Sequence, residues 1–503
     1  MLFTSLNFLV FFALTTVVYY WVPSPKRWIL LLAASLIFYL FSIPVYALVL
    51  VFSIVSNYLL GNWISRCADK SARKLAMITG ILFNLFLLAV FRYAGSFIDI
   101  LSGMPLIVRT GEPVLHHIII PLGISFYTFS NISYLVEIKR KNIQAENHLG
   151  YFTCYISFFP KLIQGPIDRP QHFIPQLRKN HPFDYQEVTN GIRLMLWGFF
   201  KKLVIADHLS LMVNGVYDNK EHWHGPLLVF STILFAFQIY MDFSGYIDIA
   251  RGAARILGFR LSRNFNSPYL STSIKEFWNR WHITLSQWLR DYLFLPVAYY
   301  VSAKMKKEAY AGIRVDKYIY AIAISVTFLL CGLWHGSGWN FIAWGGIFAI
   351  YLITGSLLEK PKKRFYKKTG FSNHKKTFNA LQVSITFMLV CFAWIFFRAP
   401  DLGNAMEIIY KLPSGWNSDT MWGVLSTIQG LLNQQNLSLP EGGILLLLIP
   451  SVIGIESFFQ EHANHRKFSV LPMTVRWLTY YLLVLLICYF GIAETNSFVY
   501  FQF

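Results

Sequence analysis

Apolar runs of about twenty residues, the length that carries a helix across a hydrocarbon core, recur from one end of the chain to the other and are closed by polar, mostly basic segments. Residues 2–22 form the first run, followed by Lys26 and Arg27. The segment 28–60, broken at Ser42-Ile43-Pro44, predicts a hairpin that returns to Arg66, Lys70, Arg73 and Lys74. Residues 75–94 and 115–136 make the next pair, closed by Lys139-Arg140-Lys141, and 203–217, 226–250, 318–334, 339–358, 378–397, 443–459 and 475–493 continue the series. Residues 399–442 read as the longest extracytoplasmic loop. The pattern predicts an all-α polytopic membrane protein with about ten to twelve crossings in a single domain over 1–503.

One stretch does not fit a plain span. Within 148–202, the run Phe158-Phe159-Pro160-Lys161-Leu162-Ile163-Gln164-Gly165-Pro166 is apolar yet interrupted by proline and glycine. Irregular backbone is tolerated at membrane depth only where protein covers it, so a re-entrant segment or a kinked helix is expected here.

Composition agrees with the pattern: 55% of the 503 residues are hydrophobic, 17% aromatic and only 14% charged. The net charge of +19 sits in short loops beside apolar runs, which is the positive-inside signature and not a groove for nucleic acid. Its strongest marker is Lys360, Lys362, Lys363, Arg364, Lys367, Lys368, Lys375 and Lys376, with no acid between Lys360 and Lys376. No lysine or arginine precedes Lys26, so the first run lacks the basic start of a cleaved signal peptide and reads as a retained span with the N-terminus outside. The same alternation places the C-terminus outside. The five cysteines show no CxxC spacing, which predicts neither a disulfide framework nor a zinc site. No internal repeat or nucleotide-binding glycine loop is visible, which argues against an ATP-driven pump and an inverted-repeat transporter.

Two histidines carry the candidate chemistry. Residues 274–294 place Phe277, Trp278, Trp281, His282, Leu285, Trp288, Leu289 and Tyr292 at helical spacing, with Lys275, Arg280, Gln287 and Arg290 towards the other side. That pattern predicts one amphipathic helix lying against membrane lipid in the headgroup plane, its tryptophans as anchors. His282 falls on the apolar face, where it either hydrogen-bonds within a core or acts. The second histidine lies in Trp334-His335-Gly336-Ser337-Gly338-Trp339-Asn340, a polar turn between two apolar runs. An ionisable group at such depth marks a functional site. Trp334 and Trp339 are expected to wall a pocket, and Gly332, Gly336 and Gly338 to let a ligand or helix approach. His335 would take a proton from a hydroxyl attacking an acyl carbonyl, while Ser337 or Asn340 steadies the oxyanion or orients the ring.

These residues, with Ser244-Gly245-Tyr246-Ile247-Asp248 and Asn264-Phe265-Asn266-Ser267-Pro268-Tyr269, resemble the membrane-bound O-acyltransferases. The likeness is strongest to the bacterial branch of alginate and peptidoglycan O-acetyltransferase membrane subunits, with the teichoic-acid D-alanylation subunit more distant. It runs through most of the chain and is densest over 120–350. The resemblance implies a ring of helices around a central funnel, with His335 as the catalytic histidine and His282 as the second, upstream polar position. It implies acetyl-CoA as the acyl donor, with no tightly bound cofactor, and Lys275, Arg280 and Arg290 become candidates to meet the donor's phosphates. An extracytoplasmic esterase-like partner and a polysaccharide acceptor follow, as does the bacterial cytoplasmic (inner) membrane as the location. After Pro296 the chain departs from the branch, with Val297-Ala298-Tyr299-Tyr300 followed by a lysine-rich insertion.

The C-terminal Asn496-Ser497-Phe498-Val499-Tyr500-Phe501-Gln502-Phe503 resembles the aromatic tail of that branch. Tyr500 is a candidate transient acyl carrier, and a docking plug for a partner is the other reading of the same tail. D-alanine remains open as the acyl group. A proton-coupled transporter or flippase using the same histidines remains open as a different class of function.

Overall fold

The computed structural model describes residues 1–41, 44–102, 121–368, 375–460 and 471–492. Tyr500 and the aromatic tail 494–503 lie outside the described residues, as do Ser42 and Ile43 of the expected hairpin break. The described residues are helical almost throughout, and the described strands form one two-residue hairpin, β1 (Ala309–Tyr310) against β2 (Ile313–Arg314), with Ala309 opposite Arg314. Eight described helices are long and apolar enough to cross a membrane. Many of their side chains face outward: Leu48 and Leu59, or Leu478, Leu482 and Leu485, are more than half exposed. In water such faces would be an aggregation hazard, and lipid is the solvent that suits them.

The chain opens with α1 (Leu6–Trp21), α2 (Arg27–Leu40), α3 (Tyr46–Arg66) and α4 (Lys70–Ser102). Ser5 caps α1 by accepting from the Phe8 amide at 3.2 Å. There follow α5 (Ile124–Lys139), α6 (Leu149–Ser157), the single turn α7 (Phe159–Leu162), α8 (Pro170–Leu177) and α9 (Tyr185–Phe199). Residues 200–206 are π-helical and run into α10 (Asp207–Tyr217), and α11 (Gly225–Ile256) follows. Two compact units divide the chain: residues 1–196 with 246–262, and residues 197–245 with 263–503.

In the first unit α5 is buried on every side from Ile124 to Ile138. Its 16 residues, Ile124–Lys139, fall short of an ordinary span, and residues 115–120 of the crossing expected at 115–136 lie outside the described residues. Polar side chains tie it to its neighbours. Asn57 and Asn84 exchange amide hydrogen bonds of 3.1 and 2.6 Å between α3 and α4, and Asn131 donates to Ser53 at 3.0 Å. Such bonds hold helices together where lipid gives no hydrophobic drive between them. Gly123, at φ 74°, turns the chain into α5, and a Cβ there would stand 2.3 Å from the Leu162 carbonyl oxygen.

The interrupted run at 158–166 is a broken helix whose irregular backbone is covered: Phe158, Phe159, Leu162 and Ile163 are buried, and the Phe159 amide donates to Ser35 at 3.1 Å. Lys161 is buried with its ammonium 4.2 Å from the ring centroids of both Tyr155 and Phe173, a cation–π cage.

The second unit holds α12 (Ile274–Arg280), α13 (Ile283–Leu289), α14 (Leu295–Lys304), α15 (Val315–His335), α16 (Trp339–Leu357), α17 (Glu359–Lys368), α18 (Lys375–Arg398), α19 (Leu402–Lys411), α20 (Ser418–Asn433), α21 (Leu439–Gln460) and α22 (Met473–Phe490). The 399–442 segment is therefore largely helical. Asp401 caps α19 through the Asn404 amide at 2.8 Å, and Arg398 binds Asn214 and Asp218 at 2.8 and 2.9 Å.

The π segment carries two lysines, Lys201 and Lys202, both buried. Lys202 lies 2.8 Å from Asp207 and 2.6 Å from Asp242, and Lys201 lies 2.9 Å from Glu456 and 3.0 Å from the Ser244 hydroxyl. At roughly 100° per residue an α-helix would set Lys202 and Asp207 well apart around its axis. The wider π turn brings them together.

Candidate active site

His335 is the last residue of α15 and is buried. Its imidazole is packed edge-on against Trp344 at 5.0 Å and Phe397 at 5.1 Å, with Trp334 at 4.6 Å. Trp344 comes from α16 and Phe397 from α18, so three helices converge on one ring. The α15–α16 hairpin is held close by two glycines. A Cβ on Gly332 would meet the Phe341 carbonyl oxygen at 2.2 Å, and one on Gly345 would meet that of Phe328 at 2.2 Å.

The turn's other residues divide. Asn340 is fully buried and donates to the carbonyls of Phe396 and Ala399 at 3.2 and 2.9 Å. Its amide thus pins the start of α16 to the end of α18, which brings Phe397 to His335. The Asn340 Oδ1 is buried and has no hydrogen-bond partner among the described residues. Trp334 is half-buried and Ser337 exposed. Trp339, expected to wall the pocket, is 72% exposed. At the first position of α16 it turns outward, and Trp344, five residues on, takes the inner place.

His282 lies in the same unit, joined to His335 through aromatic contacts. Trp344 stands 6.1 Å from Trp394, and Trp394 stands 5.2 Å from Trp281, the residue before His282. The His282 ring meets Phe243 edge-on at 4.9 Å. Edge-to-face pairs of this kind each contribute about 0.5–1.5 kcal/mol beyond the area they bury. Burial holds the His282 imidazole down at about 3, so it is neutral at ordinary pH.

The single amphipathic helix expected over 274–294 is not formed. The chain breaks at His282, which takes φ 41° and ψ 55°, and α13 begins after it. A left-handed residue other than glycine costs about 1–3 kcal/mol and persists only where its surroundings enforce it. Residues 290–294 are π-helical. Trp278, Trp281 and Trp288 are buried, so these tryptophans are core and not headgroup anchors. Over α12 the periodicity that suggested an interfacial face records core packing instead: Trp278 meets Phe328 of α15 and Trp344 of α16, and Trp281 meets Trp394 of α18.

The expected donor-binding cations lie at the edge of this core. Lys275 is exposed. Arg280 is bound to Glu276 at 2.6 Å, and Arg290 to Asp291 at 2.9 Å. Glu276 also accepts from the Thr272 amide and hydroxyl at 2.8 and 2.7 Å. Burial works to raise the Glu276 carboxyl, and the Thr272 donors with Arg280 outweigh it, leaving it below the ordinary carboxylate range.

Among the described residues no group of three or more histidine, cysteine, aspartate or glutamate side chains could hold a metal. An imidazole, an aromatic wall and a second buried histidine suit proton transfer to and from a bound hydroxyl.

Comparison with known proteins gives the family. The membrane-bound O-acyltransferase family pattern matches residues 85–399. The chain is 33% identical over 438 residues to a peptidoglycan O-acetyltransferase of Helicobacter pylori, covering 82% of this chain and 78% of that one. It is 32% identical over 469 residues to a probable alginate O-acetylase of Azotobacter vinelandii, covering 92% and 86%. A teichoic acid D-alanyltransferase of Bacillus subtilis is 30% identical over 286 residues, 56% of this chain and 69% of the relative. With a buried histidine ending one of its membrane-length helices, this chain belongs to the membrane-bound O-acyltransferase family and is a multi-pass membrane O-acyltransferase.

Proposed function

We propose that the enzyme takes an acetyl group from cytoplasmic acetyl-CoA and relays it across a bacterial cytoplasmic membrane for O-acetylation of a secreted or cell-surface polysaccharide. The observation that carries this reading is His335, buried in an aromatic cage at the end of a membrane-length helix. His335 accepts the proton of an attacking hydroxyl as its oxygen bonds to the thioester carbonyl carbon. The C–S bond then breaks, and the imidazolium returns the proton to the departing thiolate. The caging rings exclude water, which would otherwise hydrolyse the thioester. His282, neutral and buried, orients the acceptor or donor within the same core.

Lys275 is the first contact for the donor's phosphates, since Arg280 and Arg290 must release Glu276 and Asp291 to join it. The relatives' names support a glycan acceptor and an acetyl group. Both termini lie outside, where Tyr500 accepts the acetyl group as an ester and passes it to an esterase-like partner. D-alanine is the second acyl group to consider, because the D-alanyltransferase match covers 56% of the chain.

Purified protein incubated with isotopically labelled acetyl-CoA, beside His335→Ala, tests the reading by mass spectrometry of the C-terminal peptide. Label on Tyr500 that disappears with His335 is the expected result. Intact acetyl-CoA and unlabelled peptide with folded protein, in the presence of an extracytoplasmic partner and glycan, would refute it. Retained glycan acetylation in Tyr500→Phe would remove the carrier step alone.

A further inference from the structure

The break at His282 needs an agent, because the flanking residues have the spacing of one continuous helix. His282 occupies the N-cap position of α13. An N-cap side chain ordinarily accepts a hydrogen bond from the amide two or three residues on. The His282 side chain makes no such bond. Asn264 makes it instead, from eighteen residues upstream in the chain. Its Oδ1 accepts from the Thr284 amide at 3.2 Å and from the Thr284 hydroxyl at 2.6 Å, and its backbone carbonyl accepts from the Ile283 amide at 2.9 Å. Two residues further, the Asn266 amide donates to the Arg280 carbonyl at 2.9 Å.

Residues 264–266 therefore bracket Trp281 and His282 from both sides. Asn264 is fully buried, so water does not compete for these bonds. With the cap supplied from elsewhere, the imidazole is released to pack against Phe243. Were the bracket absent, the shared periodicity of α12 and α13 would favour one helix through residue 282, and His282 would give up its left-handed backbone for the right-handed helical one.

We propose that Asn264 is a positioning residue of the acyltransferase site: it caps α13 in place of His282 and holds that histidine in the left-handed conformation that presents its ring to the reaction. The role rests on the acyl-transfer reading of His282 and His335, and its test separates the two.

The full chain in detergent is compared with Asn264→Ala, which removes the side-chain acceptor, and Asn264→Asp, which keeps an acceptor oxygen in the same place. Hydrogen exchange of a peptide covering residues 280–286 reads the bracket without any substrate. In the alanine variant, exchange at Thr284, whose amide loses the Oδ1 acceptor, should accelerate at least about tenfold, while the Ile283 amide keeps the carbonyl of residue 264 as its partner. Its kcat for acetyl transfer should fall about 10²-fold, the usual cost of a group displaced by an ångström, with the KM for acetyl-CoA changed less than about threefold. The aspartate variant should recover both. If the alanine variant fails to fold, Thr284→Val, which removes one donor to Asn264, should move exchange and kcat in the same direction.

A protected Thr284 amide with undiminished kcat in Asn264→Ala would overturn the proposal, as would an aspartate variant no better than alanine in both measures. Accelerated exchange restored by aspartate, in a protein whose parent moves no acetyl group, would keep the capping role and sink the acyl-transfer reading.

Discussion

Gly332→Ala is the sharpest single test of the His335 cage. The added methyl would stand 2.2 Å from the Phe341 carbonyl oxygen, where ordinary contact begins at 3.4 Å. The obstacle is backbone in the facing helix, so no side chain can rotate away, and α15 and α16 must part by about an ångström. His335 lies three residues beyond Gly332 on α15, and Trp344 three residues beyond Phe341 on α16. The separation thus falls on the contact that cages the imidazole. A displacement of that size costs about 10²-fold in rate, and the crowded hairpin should lose about 1–3 kcal/mol of stability. Two glycines of the same hairpin serve as internal controls. A Cβ on Gly346 would have its nearest neighbour at 3.9 Å, and one on Gly355 would meet nothing within 4 Å. Alanine at either should leave the rate unchanged and improve helix stability by up to about 1 kcal/mol. Transfer from labelled acetyl-CoA, normalised to folded protein by size-exclusion chromatography, measures all three. Equal rates in Gly332→Ala and Gly346→Ala would show that the close approach of α15 and α16 does not govern the site.

Acid should unfold the protein partly through His282. Its pKa is lowered from 6.5 to about 3 in the fold, so the unfolded chain binds the extra proton between those values and stability falls as pH drops below 6.5. At pH 5 the loss is about 2 kcal/mol, and His282→Asn should show a correspondingly flatter dependence of thermal unfolding on pH from 7 to 5. An identical dependence in the two proteins would contradict the burial of that ring. Lys202→Met leaves Asp207 and Asp242 buried without their shared cation and should destabilise by about 3–5 kcal/mol, read as faster proteolysis in detergent; unchanged resistance would argue against the pairing. Asn340→Ala should free the end of α18 and lower kcat more than it raises KM for acetyl-CoA, whereas Ser337→Ala should change neither.

The membrane class, most of the long helices and the His335 turn were legible because each is a local pattern: a run of apolar residues, a basic closure, a histidine among glycines. What escaped was set by partners distant in sequence. The spacing of residues 274–294 is helical throughout, and the break at His282 comes from Asn264, whose capping contact has no local signature at the break. Trp339 looked like a wall because it lies close to the histidine in sequence, while Trp344 and Phe397 reach the ring through tertiary packing. Lys201 and Lys202 sit just before the expected span 203–217, where nothing local marks them as buried. Their partners Asp242 and Glu456 lie on other helices, and the five-residue spacing from Lys202 to Asp207 matches no α-helical pair.

That spacing makes the π segment a counting device. Between residues 200 and 206 the helix carries one residue more than an α turn would, and everything beyond is rotated by roughly 100° as a result. Downstream of it, His208 bonds Gln435 at 2.8 Å and the Phe490 carbonyl at 2.7 Å, and Asn214 meets Arg398 at 2.8 Å. Loss of any one residue from the segment, whatever its identity, would regularise the helix and turn all of these contacts to the wrong side together. Substitution at the half-buried Leu203 alters one side chain, whereas a shortened chain alters the phase of an entire helix, so the length of this stretch is a constraint separate from that on its side chains.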